Sequence, residues 1–207
     1  MNRILLSLLL LICHFSCRRE ILLSLGSARN EQVIALQPLN GYAGEGLESL
    51  REELAGFYSK KVIILPSLQL PVSFLDTILR KYSSDSILVL LSGKANDSIV
   101  EVIGIIHEPV FAIKQDGAKH RYFDESIFGI GHQPGHACLV SDSRLATGDE
   151  RLLVTRLQNV VVHEVGHNMG LGHCADPQCI MSESNGEFRS LDERGRGYCE
   201  RCRKLLK

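Results

Sequence analysis

A mixed α/β fold is predicted for this chain of 207 residues by three observations. Short runs rich in β-branched residues recur through the first two-thirds of the sequence. Stretches with apolar residues at helical spacing lie among them. A longer segment with one buried side follows near residue 150. Strands alternating with helices pack as a sheet covered by helices, and 44% hydrophobic content over this length supports the core of one domain.

The strands are expected at Val33–Leu36, Val62–Leu65, Ile87–Leu91, Val100–Ile106, Ile127–Ile130 and Ala137–Val140, each a short apolar run bounded by polar residues or turn formers. Leu47, Leu50, Leu54 and Phe57 make one helical stripe, and Leu75, Ile78, Leu79 and Tyr82 a second. The polar stretch "KQDGAKHRYFDE", Lys114–Glu125, reads as a surface loop. The longest helix is expected to start near Thr147, because Thr147 and Glu150 have capping-box spacing and Leu153, Leu157 and Val160–Val162 follow as its buried side. It should stop at Gly170, where glycine tolerates the left-handed conformation that ends helices. A short C-terminal helix should carry Cys199 and Cys202 at i, i+3.

The first residues differ in kind. Arg3 precedes the apolar run Ile4–Ile12, which is the layout of a secretory signal peptide. Ser16–Cys17 resembles the lipidated cysteine of bacterial lipoproteins. Residues 1–17 are therefore read as a leader and 31–207 as the domain. The chain is expected to be exported or held at a membrane by a lipidated Cys17, with a cytoplasmic location as the alternative. No run approaches the roughly 20 apolar residues of a spanning helix. Lys plus Arg number 23 against 24 Asp plus Glu, so the charge balance points to no nucleic-acid partner. A monomer is expected.

The chemistry concentrates in "HEVGHNMGLGHCADPQCIM", His163–Met181. His163 and His167 are four apart, so a helix stacks them on one face within reach of one ion. Glu164 is free to accept a proton from a metal-bound water, the HExxH arrangement of zinc hydrolases. Gly170 and His173 extend it to HExxHxxGxxH, in which the glycine turns the chain so that a third histidine meets the same ion. Three neutral imidazoles leave a fourth position for water, and the reaction class is metal-assisted amide hydrolysis with Glu164 as general base. A pair of core histidines on an apolar helix is the alternative.

Cys174 follows His173 directly. Adjacent side chains in an extended segment point to opposite sides, which argues against one shared ion. Cys179, Cys199 and Cys202 remain, and seven ligands plus one water fill two tetrahedral ions. Two disulfides among the four cysteines are the alternative reading. Arg194, Arg196, Arg201, Arg203 and Lys204 read as a solvated basic face. His107, His120, His132 and His136 read as surface residues, with a place near the cleft as the alternative for His132 and His136, and Cys138 has no assigned role.

These residues resemble the archaemetzincins, a family of the metzincin clan of zinc proteases, whose pattern is HExxHxxGxxHC-x4-CxM-x17-CxxC. Every fixed position and spacing of it is met between His163 and Cys202. Upstream, "FGIG" and "ACLVSDSRL" resemble the family's last strands before the helix. The resemblance implies a zincin-like single domain with a mixed, roughly five-stranded sheet, an active-site helix and a C-terminal zinc-clipped tail. It implies two zinc ions per chain: a catalytic one on His163, His167 and His173, and a structural one on Cys174, Cys179, Cys199 and Cys202, with Met181 as the Met-turn. The implied activity is that of an aminopeptidase or short-peptide hydrolase acting on peptides or proteins. Members are typically leaderless and intracellular, which a leader here contradicts. A non-hydrolytic zinc-binding interaction module on the same scaffold is the rival, and the retained Glu164 opposes it.

Overall fold

The computed structural model describes residues 32–43, 45–115, 121–124, 127–145, 147–183 and 188–206. The proposed leader and His120 lie outside them. Along the chain run β1 (Val33–Pro38), α1 (Glu45–Tyr58), β2 (Val62–Ile64), a 3-10 turn (Val72–Phe74), β3 (Leu75–Asp76), β4 (Lys81–Ser83) and α2 (Ser84–Ser92). Then follow β5 (Ile99–Ile106), β6 (Val110–Gln115), β7 (Arg121–Asp124), β8 (Gly129–Gly131), β9 (Ala137–Ser141), α3 (Glu150–Asn168), α4 (Phe188–Glu193) and α5 (Glu200–Leu205).

A five-stranded sheet has the order β2-β1-β5-β9-β8, parallel except for β8, which runs antiparallel to β9 at the edge. Alternation along β5 builds two cores. Ile103 and Ile105 face α1 and α3 together with Leu50, Leu54, Leu157 and Val161. Val102 and Ile106 face α2, against Ile87, Leu88 and Leu91. Each such aliphatic side chain, fully removed from water, contributes about 1.5–3 kcal/mol. A second sheet has the order β3-β4-β6-β7.

The mixed α/β class is as the sequence predicts, but four element assignments need correction. Ile87–Leu91 is helical. Ser83 caps α2 by accepting from the Ser86 N–H, and Ser84, Ile87, Leu88 and Leu91 form its buried stripe. A short apolar run fits strand or buried helix equally, and here the cap decides. The stripe from Leu75 to Tyr82 is a hairpin. Asp76 Oδ1 accepts from the N–H groups of Ile78 and Leu79 (2.9 and 2.8 Å), and Arg80 takes a φ of 55° that no helix permits. The segment read as a surface loop holds β7 and the end of β6, paired antiparallel from Ala112–Asp124 to Gln115–Arg121. Finally, Asp149 rather than Thr147 caps the long helix, its Oδ1 accepting from the N–H groups of Arg151 and Leu152 (2.9 and 3.3 Å).

The end of α3 is tied to the sheet by a buried polar contact. Glu101 on β5 accepts from Asn168 Nδ2 at 2.5 Å. Burial raises the Glu101 carboxyl from its ordinary 4.5 to about 8, and the Asn168 bond opposes the rise. The folded chain therefore keeps a proton that the unfolded chain has lost. The stability this contributes is fully present below about pH 4.5 and is lost as pH rises through about 8, a loss of a few kcal/mol. Glu101→Gln keeps an acceptor for Asn168 and does not ionise. The melting temperature of the parent is expected to fall relative to this variant across that window, and parallel pH profiles would refute the assignment.

Candidate metal centres and the cleft over the histidines

α3 carries His163, Glu164 and His167 on its last turns, and Gly170 ends it with a φ of 92°. An L side chain is strained at that angle. The turn closes through Gly170 N–H to His167 O and Leu171 N–H to Gly166 O. It returns the chain so that His173 meets the other two rings, at centroid distances of 5.4 and 5.0 Å.

The tautomers follow from the backbone. His163 Nδ1 lies 2.8 Å from Ile180 O, and His167 Nδ1 lies 2.8 Å from Leu171 O. A carbonyl only accepts, so both Nδ1 atoms carry hydrogen and both Nε2 atoms carry lone pairs. These two lone pairs face each other at 3.1 Å. Burial, the leading cause, lowers His163 to about 3 and lowers His167 as well, which keeps both rings neutral. Neutral imidazoles converging through unprotonated nitrogens fit a cation. His173 joins them, with one donor atom from each of the three within 4.8 Å of the others.

The cysteines form a separate group. Cys174, Cys179, Cys199 and Cys202 bring their Sγ atoms within 4.8 Å of one another, and none of the four is in a disulfide. Cys174 and Cys199 are 3.8 Å apart, Cys179 and Cys202 3.7 Å. Zinc–sulfur bonds of ~2.3 Å give a tetrahedron with edges of ~3.8 Å, so the spacing fits a zinc site made of four thiolates. His173 and Cys174, adjacent in the chain, belong to different groups.

The groups share a scaffold. Residues 178–182 pair with 195–197 through Gly195 N–H to Gln178 O and Ile180 N–H to Gly197 O, both at 3.0 Å. Ile180 follows Cys179, and its carbonyl orients His163. Met181 is wholly buried beneath α3. A Cβ on Gly166 would collide with Met181 Sδ and sit 3.2 Å from Tyr198 Cε1. Gly166→Ala is therefore expected to cost about 1–3 kcal/mol by overpacking. Thermal unfolding checks this, and an unchanged midpoint would show that Met181 has room to move.

A cleft of about 530 Å³ opens over the histidines. β8 and the β6–β7 hairpin wall it, with Lys114, Tyr122 and Asp124 contributed by the hairpin. Glu164 lines it while 8% exposed. Burial raises the Glu164 carboxyl to about 8, while Arg194, the Gly131 N–H and Lys114 pull it back toward the ionised form.

The structure thus gathers His163, His167 and His173 beside Glu164 in the cleft and Cys174, Cys179, Cys199 and Cys202 in a second group, and it leaves His132 and His136 exposed outside the cleft. It corrects the basic face: Arg196, Arg201, Arg203 and Lys204 are exposed, but Arg194 is buried and lines the cleft. Arg194, the hairpin wall and the Ile180 carbonyl escape sequence reading. No spacing rule marks a lone arginine in a basic run, and a backbone carbonyl leaves no trace in residue identity.

Residues 45–207 match the sequence model of peptidase family M54. The archaemetzincin of Methanopyrus kandleri is 39% identical over 80 residues, which cover 39% of this chain and 45% of that protein. The archaemetzincin of Archaeoglobus fulgidus is 28% identical over 169 residues, 82% of this chain and 95% of that protein. Among solved structures, the A. fulgidus archaemetzincin complexed with malonate superposes with a TM-score of 0.70 at 26% identity, covering 84% of this chain and 99% of that one. The M. kandleri archaemetzincin gives 0.70 at 26% identity, covering 85% and 93%. With its family pattern complete and its fold shared with these structures, the chain belongs to peptidase family M54, the archaemetzincins, and is a zinc metallopeptidase.

Proposed function

We propose that this peptidase cleaves short peptides, as an aminopeptidase or short-peptide hydrolase. In this reading His163, His167 and His173 hold the catalytic zinc, and Cys174, Cys179, Cys199 and Cys202 hold a structural one. The observation that carries it is the facing pair of His163 and His167 Nε2 lone pairs in a cleft that Glu164 also lines. When bound there, zinc supplies a water whose pKa falls from 15.7 to about 7 and polarises the scissile carbonyl.

The chain's own residues do the rest. Glu164 takes the proton at its carboxylate and returns it to the leaving amine. The Gly131 N–H holds that carboxylate, and the Ile180 and Leu171 carbonyls keep two imidazoles in the binding tautomer. Met181 supports the histidines from below as the Met-turn. A cleft of about 530 Å³ lies within the ~300–1,000 Å³ of small-ligand sites, which suits a substrate of a few residues.

Zinc analysis together with turnover of a short-peptide panel tests the reading. A chelator should abolish turnover and added zinc should restore it, while turnover that survives metal removal rejects the assignment. Export rests on Arg3, the Ile4–Ile12 run and Ser16–Cys17. Intact mass of protein from its native cell tests that separately, and a soluble chain retaining Met1 would exclude it.

A further inference from the structure

The mechanism above leaves Arg194 with no task in the cleft. It follows α4 directly, is 7% exposed and lines the cleft beside Glu164. Its Nη1 donates to Ile180 O at 2.9 Å and to Ser182 O at 3.2 Å, which uses both hydrogens of that nitrogen. Its Nε is buried with no acceptor among the described residues. Lys114, the other lysine or arginine lining the cleft among the described residues, is paired with Asp124 at 2.6 Å. Arg194 forms no ion pair among the described residues, and Glu164 acts on it only through the longer-range field.

Two features of this arrangement matter physically. A guanidinium taken from water without a counter-charge is unfavourable, and backbone carbonyls do not cancel its formal charge. The group is also preorganised: its Nη1 end is clamped to the carbonyls on either side of Met181, so little side-chain freedom remains to be lost on binding. The Nε edge of a planar guanidinium matches a carboxylate side-on, through two parallel N–H···O bonds. A clamp on the Met-turn alone would use one nitrogen and would leave the enclosed Nε–H without an acceptor, as it is here.

We propose that Arg194 is the specificity-determining residue of the cleft and takes a carboxylate of the bound peptide, either its C-terminal carboxylate or an Asp or Glu side chain. The proposal rests on the short-peptide reading above. Arg194 Nη1 lies 3.3 Å from His163 Nδ1, so the anchor stands at a fixed separation from the histidines. A carboxylate held there sets how many residues lie between it and the scissile bond, and one peptide length should be preferred.

Equilibrium binding tests this without relying on turnover. The probes are tri- to pentapeptides in three forms: free acid, C-terminal amide, and C-terminal amide carrying one Asp. The protein is the zinc-loaded full chain with Glu164→Gln, with and without a change at Arg194. One carboxylate form should bind at least about tenfold more tightly than the plain amide, the scale of hydrogen bonds to charged groups. Preference for the acid assigns the C-terminal carboxylate, and preference for the Asp amide assigns a side chain. Arg194→Gln should erase the preference while leaving plain-amide affinity and zinc content unchanged.

Four results would overturn the proposal: no preference, no binding of any form, a preference that survives Arg194→Gln, or equal weakening of all three forms. The third would mean that the ion itself takes the carboxylate, and the last that the arginine only clamps the Met-turn. Should Arg194→Gln not fold, Arg194→Lys keeps a donor for the Ile180 and Ser182 carbonyls but lacks the fork, and an undiminished preference there is equally fatal. If the carboxylate preference holds but the parent hydrolyses none of these peptides, the short-peptide reading fails and the anchor stands. Hydrolysis without any preference is the reverse case.

Discussion

Glu164→Gln is expected to retain zinc and fold and to lose at least about a hundredfold in peptide turnover, the usual scale for removing a general base. The substitution is nearly isosteric, and the amide oxygen can still accept from the Gly131 N–H that holds the carboxylate. What disappears is the ability to take a proton and pass it to the leaving amine, so kcat should fall while KM changes little. Stability should not suffer. In the metal-free chain burial raises the Glu164 carboxyl to about 8, so there ionising it becomes a growing penalty as pH climbs from about 4.5 through about 8, and an amide carries no such penalty. Elemental analysis, a melting curve and steady-state kinetics separate the three quantities. Turnover equal to that of the parent would remove Glu164 from the mechanism.

Cys199→Ser is expected to have the largest effect on stability. Structural zinc contributes an apparent ~10–16 kcal/mol in small modules, comparable to a whole domain's ~5–15 kcal/mol. The damage should also spread. The Cys199 N–H donates to Cys179 Sγ at 3.3 Å, and Ile180, next along the chain, supplies the carbonyl that orients His163. Slackening the cysteine group therefore loosens a histidine of the other site. Elemental analysis should give about two zinc per chain in the parent and one or fewer in this variant, with a marked drop in melting temperature. His167→Ala is the contrasting case, because α3 is anchored by its own core through Leu157 and Val161. It should hold about one zinc with the fold intact. A single zinc in the parent, with Cys174 open to alkylation in the native protein, would defeat the two-site reading.

Where the sequence alone sufficed, the reason is local. Helical spacing stacks His163 over His167, Gly170 must adopt a left-handed turn, and the x4 and x2 intervals bring the cysteine pairs into reach, so ligand grouping is encoded in intervals of a few residues. The apolar stripe Leu47, Leu50, Leu54 was legible for the same reason. Where it fell short, competing local patterns differed little in free energy and distant contacts decided. The Ile87–Leu91 run became helical once Ser83 capped it, and Asp76 and Arg80 turned an apparent helix into a hairpin.

By itself the sequence determined which side chains group as candidate metal ligands, because residue identity and short spacing are properties of neighbouring residues. Tertiary structure decided what surrounds that chemistry. It raised Glu164 by burial, assigned the histidine tautomers through the Ile180 and Leu171 carbonyls, and carried Arg194 from an apparent basic face into the cleft. Those outcomes depend on how far a group is removed from water and which carbonyls it meets there, and both are set only when segments remote in sequence pack together.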